Sequence, residues 1–316
     1  MLNKKILILG SNGFIGKNLK NNLKNTYGNK NYEYIYLTRE KIDLKNKMAL
    51  KNYMEWIKPH IVINAAGIVG SSILNRDKNE YTIFNENIIM FMNILDCCQE
   101  TNVEKLILFS TYRLFGNDIR ENYDEDNINE TVIKNNIGYL ESKRIQNIQM
   151  ELFLKYNKIK IVCFIMTNVF GEEDKFINNG RIVPSLIIKI KNAKKKNENL
   201  YIDDFSNNKV NLIYVKDIVK MVEIYIHHDD DCLVGNVIIF NKKGILEIGE
   251  LAKNIAKIMN YEGNIQFKDE SKLDLKKEES NIMKPNLSKM ESFFPDFKFK
   301  DIYIALQTLI NNLDFS

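Results

Sequence analysis

Lys4-Lys5-Ile6-Leu7-Ile8-Leu9 runs straight into Gly10-Ser11-Asn12-Gly13-Phe14-Ile15-Gly16, after which the apolar spacing turns helical through Leu23. A short unbroken aliphatic run reads as a strand covered on both faces, and the glycines mark a tight strand-to-helix turn. Gly10 permits the turn, Gly13 lets backbone amides approach phosphate oxygens, and Gly16 lets the helix pack closely on the strand. The helix that follows directs the positive end of its dipole at the same place. The predicted occupant is the pyrophosphate of a dinucleotide; the plainer alternative is an ordinary turn.

Outward from this turn, aliphatic runs alternate with amphipathic ones. Strands are predicted at Lys4 to Leu9, Glu33 to Leu37, His60 to Asn64, Lys105 to Ser110 and Ile159 to Ile165. Helices are predicted at Phe14 to Lys24, Met48 to Ile57, Tyr81 to Glu100 and Gly138 to Tyr156. Repeated βαβ units imply an α/β fold with a doubly wound parallel sheet. After Asn168-Val169-Phe170-Gly171 the texture becomes more polar, with a helix from Val183 and a polar segment from Asn192 to Val210. Strand character resumes at Leu212 to Val215 and Val237 to Phe240 around a helix at Asp217 to Ile226, so one return to the main sheet is expected. A helix from Glu247, a strand at Ile265 to Phe267, a charged loop over Asp269 to Lys284 and a helix at Ile302 to Asn312 complete a smaller C-terminal α/β lobe. The expected division is a dinucleotide-binding domain of residues 1–170 and 211–241 and a substrate-binding lobe of residues 171–210 and 242–316.

The 316 residues suffice for one large domain with a smaller one attached, and 45% hydrophobic with 27% charged content is ordinary for a globular enzyme. A net charge of +4 is slight and asks for no nucleic acid, and the lysine run Lys189 to Lys196 reads as a solvated helix face. Cys97, Cys98, Cys163 and Cys232 lack C-x-x-C spacing and suggest reduced thiols. The first apolar run is broken by Gly10 and no stretch approaches a membrane span, so a cytoplasmic location is expected. His60 reads as structural; His227-His228 beside Asp229-Asp230-Asp231 is a weak metal pattern, because adjacent helical residues point apart.

Tyr139-Leu140-Glu141-Ser142-Lys143 places a phenol and an ammonium four residues apart on one helical face. An ammonium nearby is expected to lower the phenol's pKa and make it a usable acid or base. Tyr156 and Lys160 repeat the spacing where the chain leaves the helix, so they need not face each other. Ser110-Thr111-Tyr112-Arg113-Leu114-Phe115-Gly116 leaves the C-terminal end of a strand, the edge at which open parallel sheets bind ligands. Thr111 could hydrogen-bond the oxygen that Tyr139 protonates; the plainer role for Ser110 and Thr111 is to satisfy the turn's backbone. The second strand ends Leu37-Thr38-Arg39, and an arginine there suits a ribose 2′-phosphate, which favours NADP over NAD, with Glu40 as the opposing charge.

Gly10-x-x-Gly13-x-x-Gly16, Asn64-Ala65-Ala66-Gly67, Thr111, Tyr139-x-x-x-Lys143 and Asn168-Val169-Phe170-Gly171 together resemble the extended short-chain dehydrogenase/reductases that act on nucleotide sugars, the NAD-dependent epimerase/dehydratase family, over nearly the whole chain. Within it the chain is most similar to the GDP-L-fucose synthase group of NADPH-dependent epimerase-reductases, through Thr38 to Leu44, Ala65 to Gly70, Met166 to Gly171 and Asn179 to Pro184. The resemblance implies a Rossmann domain, Tyr139 as the acid for a carbonyl oxygen, Lys143 on the nicotinamide ribose, and Thr111 as the carbonyl's holder. The expected cofactor residues are Gly10, Asn12, Gly13, Phe14, Ile15, Gly16, Arg39, Ala65, Ala66, Gly67, Asn87, Tyr139, Lys143 and Asn168. The expected substrate residues are Arg113, Asn168, Arg181, Ile182, Leu186 and Lys189, and no metal is expected.

Departures from the family pattern narrow the chemistry. The bifunctional enzymes of that group carry a cysteine and a histidine as the epimerase acid/base pair where this chain has Arg113 and Arg181, and arginine stays protonated at any working pH. The dehydratases of the family need an Asp-Glu pair where this chain has Tyr112-Arg113. An arginine that contacts the diphosphate in the family falls near Val210, with only Lys209 adjacent. The expectation is an NADPH-dependent C4-ketoreductase of a GDP-linked 4-keto deoxy sugar or heptose in surface polysaccharide synthesis. Its rivals are a bifunctional GDP-L-fucose synthase, a C4 dehydrogenase or 4-epimerase with tightly held NAD, and a cofactor-sensing binding protein. A small-molecule nucleotide sugar is the expected partner, with no nucleic acid and no membrane; the long helices of the resemblance imply a homodimer.

Overall fold

The computed structural model describes residues 4–23, 32–69, 79–116, 121–129, 136–175, 180–202, 208–228, 234–267 and 284–313. Gly70, Asn179, Asp229, Asp230, Asp231 and Cys232, and nearly all of Asp269 to Lys284, lie outside them. In chain order the first half comprises β1 (Lys4–Leu9), α1 (Phe14–Asn22), β2 (Tyr32–Leu37), α2 (Lys47–Ile57), β3 (Ile61–Asn64), α3 (Glu80–Glu100), β4 (Lys105–Thr111), a 3-10 turn (Tyr112–Phe115), β5 (Glu121–Tyr123), α4 (Ile137–Tyr156) and β6 (Lys160–Met166). The remainder is β7 (Asn168–Phe170), α5 (Ile182–Lys196), β8 (Leu200–Ile202), β9 (Lys209–Tyr214), α6 (Val215–His227), β10 (Gly235–Ile239), β11 (Ile245–Glu247), α7 (Ile248–Ile258), β12 (Ile265–Phe267), β13 (Lys284–Pro285), α8 (Ser288–Phe293) and α9 (Ile302–Asn311).

Six strands form the main sheet in the order β10-β6-β4-β3-β1-β2, and every neighbouring pair is parallel. Side chains of a strand alternate between faces, so a strand wholly of aliphatic residues needs cover on both. In β1, Ile6 and Ile8 join a core that includes Leu19 of α1 and Ile218 and Val222 of α6. Leu7 and Leu9 join the opposite core, with Leu50 and Met54 of α2 and Phe91 and Ile94 of α3. Those two layers are what makes the sheet doubly wound. Asn46 and Asn79 cap α2 and α3, accepting the amides of Ala49 and Thr82 at 3.0 and 2.8 Å.

β2 lies to one side of β1 and β3 to the other, so the winding reverses between β1 and β3 and leaves a crevice at their C-terminal ends. The expected return to the main sheet is made by β10; β9 pairs instead with β7 and β11 in a separate three-stranded sheet. Residues read as a polar segment from Asn192 hold the end of α5 and then β8, which pairs with β12. Leu200 and Ile202 are buried while Tyr201 between them is exposed, a strand alternation too short to stand out among lysines and asparagines. Among the described residues no helix is long and apolar enough to cross a membrane.

His60 is structural, its Nδ1 accepting the Lys5 amide at 3.1 Å. Cys97, Cys98 and Cys163 are buried free thiols. Tyr156 closes α4 and Lys160 opens β6, so that repeat of the tyrosine-lysine spacing straddles a helix end.

Candidate active site

The glycine turn sits at the β1–β3 crevice. Gly10 has φ +72°, and a Cβ there would lie 2.6 Å from the Ala66 amide nitrogen, so only glycine fits between the turn and the chain leaving β3. A Cβ on Gly16 would overlap the Gly10 carbonyl oxygen, so the third glycine seats α1 on its own turn. Gly13 is the N-cap of α1 and brings no side chain to it, while the first helical bond runs from the Lys17 amide to the Gly13 carbonyl at 2.8 Å. The first-turn amides therefore have no partner within the helix, the arrangement that receives phosphate.

A 210 Å³ cavity opens from this turn toward the end of β2, between Gly10, Gly13, Arg39, Glu40, Ala65 and Ala66. Arg39 is exposed and only loosely held, 3.8 Å from Asp43. Beside it Glu40 is kept ionised, its carboxyl below the ordinary range through a Thr38 hydroxyl bond, its own amide and the Arg39 charge, and Asn12 donates to it at 3.3 Å. Ala65, Ala66 and Gly67 form the far wall, fastened by the Ala65 amide to the Leu9 carbonyl and by the Ala66 amide to Asn64 Oδ1. Asn87 of α3 accepts the Ile68 amide at 2.9 Å and donates to the Ile68 carbonyl and the Ser142 hydroxyl. Its polar atoms are thus spent bracing the wall to α4.

α4 delivers Tyr139 and Lys143. Its N-cap, Asn136, adopts a left-handed conformation and offers no side-chain bond; Glu80 from α3 takes that place, accepting the Gly138 amide at 2.6 Å. Lys143 Nζ donates to the Phe109 carbonyl at 3.0 Å and Gln146 Oε1 at 2.9 Å, and a Cβ on Gly67 would be 3.9 Å from it. The ammonium is therefore pinned between β4 and the wall, and burial lowers its pKa to about 8.

Tyr139 departs from expectation. Burial raises its pKa to about 12, and the charges pulling it down are Arg113 and Arg181, with no part played by Lys143. Spacing along a helix gave the shared face but could not register the loss of water around the phenol. The phenol is consequently a protonated group that feels two guanidinium charges.

Thr111 ends β4, and its Oγ1 accepts the Arg113 amide at 3.3 Å, the plainer of the two roles read from sequence. That bond uses a lone pair and leaves the hydroxyl hydrogen to donate. Ser110 Oγ, one residue earlier, is buried without a hydrogen-bond partner among the described residues. Arg113 is exposed, and its guanidinium has no ion pair among the described residues. Asn168 opens β7 and donates to the Asn211 carbonyl at 3.3 Å.

Arg181 precedes α5, yet its guanidinium lies 4.3 Å from the ring centroid of Phe14 and pairs with Asp174 at 2.6 Å. Of the three α5 residues expected at the substrate, Leu186 is buried in the core, while Ile182 and Lys189 are partly exposed. Asp174 and Glu80 carried no signal in the sequence: each is a single acidic residue whose partner is distant or in no motif.

A sequence model of the NAD dependent epimerase/dehydratase family matches residues 6–240. The chain is 28% identical over 313 residues to a GDP-L-fucose synthase of Dictyostelium discoideum, covering 96% of this chain and 93% of that relative. Among solved structures, a GDP-L-fucose synthetase of Naegleria fowleri bound to NADP is similar with a TM-score of 0.87 at 21% identity, covering 98% of this chain and 92% of the other. A GDP-mannoheptose C4 reductase of Campylobacter jejuni with NADP bound is similar with a TM-score of 0.82 at 19% identity, covering 98% of both. At those identities the two structures speak for the fold.

Proposed function

The chain belongs to the NAD dependent epimerase/dehydratase family, and on that premise we propose that it is an NADPH-dependent C4-ketoreductase of a GDP-linked 4-keto deoxy sugar or heptose, serving surface polysaccharide synthesis. Residues 1–170 and 211–241 are assigned to the cofactor, and 171–210 and 242–316 to the sugar nucleotide. The observation that carries the reading is Tyr139 and Lys143 on one helix at the sheet's ligand edge, with the phenol kept protonated by burial, and with two permanent cations, Arg113 and Arg181, where an epimerase needs titrating groups. The relatives described above carry GDP-sugar names, which supports the GDP carrier.

The residues fit a dinucleotide: the glycine cradle excludes a Cβ, the first-turn amides of α1 are open, and Arg39 stands ready for a 2′-phosphate. When bound, NADPH supplies the hydride. Lys143 has spent two N–H groups on Phe109 and Gln146 and keeps a third for a ribose hydroxyl. The Thr111 hydroxyl, its lone pair engaged by the turn, donates to the keto oxygen and orients the carbonyl. Tyr139 gives its proton to that oxygen as charge develops there, and the two arginines stabilise the phenolate left behind until water restores the proton.

Purified protein given NADPH and a GDP-4-keto-6-deoxy sugar in deuterium oxide is expected to oxidise NADPH and return product without deuterium at C3 or C5. Deuterium at either carbon would make it a bifunctional epimerase-reductase, and no NADPH oxidation with hexose or heptose substrates would remove the reductase assignment.

A further inference from the structure

Arg181 belongs to the substrate side by chain position, but its guanidinium is held over the nucleotide side. Its central carbon lies over the ring of Phe14, 4.3 Å from the centroid, and Phe14 is the first residue of the helix that begins at the glycine turn. Its Nη2 donates to Asp174 Oδ1 at 2.6 Å. The Asp174 side chain is only 1% exposed, and its second oxygen is buried with no hydrogen-bond partner among the described residues. A buried carboxylate met by a single cation holds that cation firmly, because separating them strands a charge away from water.

The anchor is itself fastened to α1. Asn18 donates to the Glu172 carbonyl at 2.7 Å, and Lys17 pairs with Glu173 at 3.2 Å. Arg181 is thus held against the side chain of the first residue of α1, whose first-turn amides are open, while its charge also reaches Tyr139. A dinucleotide whose pyrophosphate rests on those amides, and whose reactive ring faces Tyr139, passes alongside this guanidinium. Phe14 covers one side and Asp174 takes one nitrogen, and the other donors have no partner among the described residues. A fixed cation with free N–H groups next to open amides suits phosphate oxygens; neutral sugar hydroxyls have no use for the charge.

We propose that Arg181, seated on Phe14 and anchored by Asp174, is a clamp on the pyrophosphate of the bound cofactor, closing the dinucleotide cleft from the substrate side, and is not a grip on the sugar. This rests on the cofactor assignment of the preceding section.

The test is direct binding by titration calorimetry to the full chain, with NADP, 2′,5′-ADP and GDP as probes, for the parent, Arg181→Met and Arg181→Lys. Arg181→Met is expected to weaken NADP by about tenfold or more, with Arg181→Lys intermediate because it keeps charge and loses stacking. 2′,5′-ADP, which lacks the pyrophosphate, and GDP are expected to bind both variants as the parent does. Unchanged NADP affinity in Arg181→Met overturns the clamp, as does weakening confined to GDP. Equal weakening of all three probes also overturns it, since it marks a deformed cleft. A parent that binds no NADP removes the cofactor assignment and the clamp together, whereas a parent that binds it and a variant that matches it removes the clamp alone.

Discussion

The amide of Gly138 meets the carboxylate of Glu80 at 2.6 Å, so the acid that caps α4 comes from the neighbouring α3. A Cβ on Gly138 would overlap the Glu80 carbonyl oxygen and lie 2.7 Å from its carbon. The residue placed by this contact is Tyr139. Glu80→Ala is expected to lose about 1 kcal/mol of stability, the worth of a helix cap, and Glu80→Gln to retain most of it by keeping an acceptor. Gly138→Ala must part α3 from α4, and a displacement on the scale of 1 Å is expected to lower kcat by roughly a hundredfold. Urea melts beside NADPH-oxidation rates check both; a parental kcat in Gly138→Ala would show that Tyr139 takes its position from elsewhere.

The pH profile of kcat/KM follows from Lys143. Its ammonium, lowered to about 8 by burial, is present below that pH and lost above it, while Tyr139, raised to about 12, keeps its proton throughout the working range. The profile should be level near neutrality and fall about tenfold per unit above pH 8. Lys143→Met should be slow and lack that limb. A limb appearing only near pH 10 would mean that the lysine is not the titrating group.

Asp217, in the first turn of α6, carries the opposite kind of shift. Burial raises its carboxyl to about 6, although the Lys300 amide donates to it at 3.1 Å and the Lys220 and Lys300 charges pull downward. The folded chain binds this proton more tightly than the unfolded one, so the stability it contributes is complete below about pH 4 and disappears as pH rises through 6. Asp217→Asn keeps an oxygen for the Lys300 amide. It is expected to exceed the parent by roughly 1–3 kcal/mol at slightly alkaline pH and to match it at low pH, in denaturant titrations at both. A constant difference between the two conditions would dismiss the carboxyl as its source.

α3 and α4 pack against each other. Ile89 and Met92 on the first, and Ile148 and Leu152 on the second, remain between 36% and 51% exposed. We expect these apolar side chains to meet those of a second copy, giving a homodimer in sedimentation. Leu152→Glu should shift the population to monomer, because a carboxylate buried there without a cation is costly. A parent that sediments as a monomer at micromolar concentration would contradict this.

The alternation of aliphatic strands with amphipathic helices made the main sheet legible, because a strand such as β1 must be apolar on both faces. The small sheet was harder to read. Nothing local in Lys209 to Tyr214 says whether it will lie beside β10 or beside β7, a choice made by partners distant in sequence. At the site, motif residues were readable since each is tied to a turn or a helical spacing. The acidity of Tyr139 was not, because it depends on burial and on arginines from two other segments. Glu80 was invisible for a similar reason: its partner lies in another helix and is a backbone amide, which leaves no mark on residue type.

Asn87 does for Ile68 what an adjoining strand would do, receiving from the amide and giving to the carbonyl of one residue. A stretch of small residues, Ala65, Ala66 and Gly67, would otherwise sample many shapes once β3 has ended. Held at one end by Leu9 and Asn64 and just past the other by Asn87, it has surrendered that freedom during folding, so the binding of a ring against it, as proposed, need not meet the entropy of making a seat.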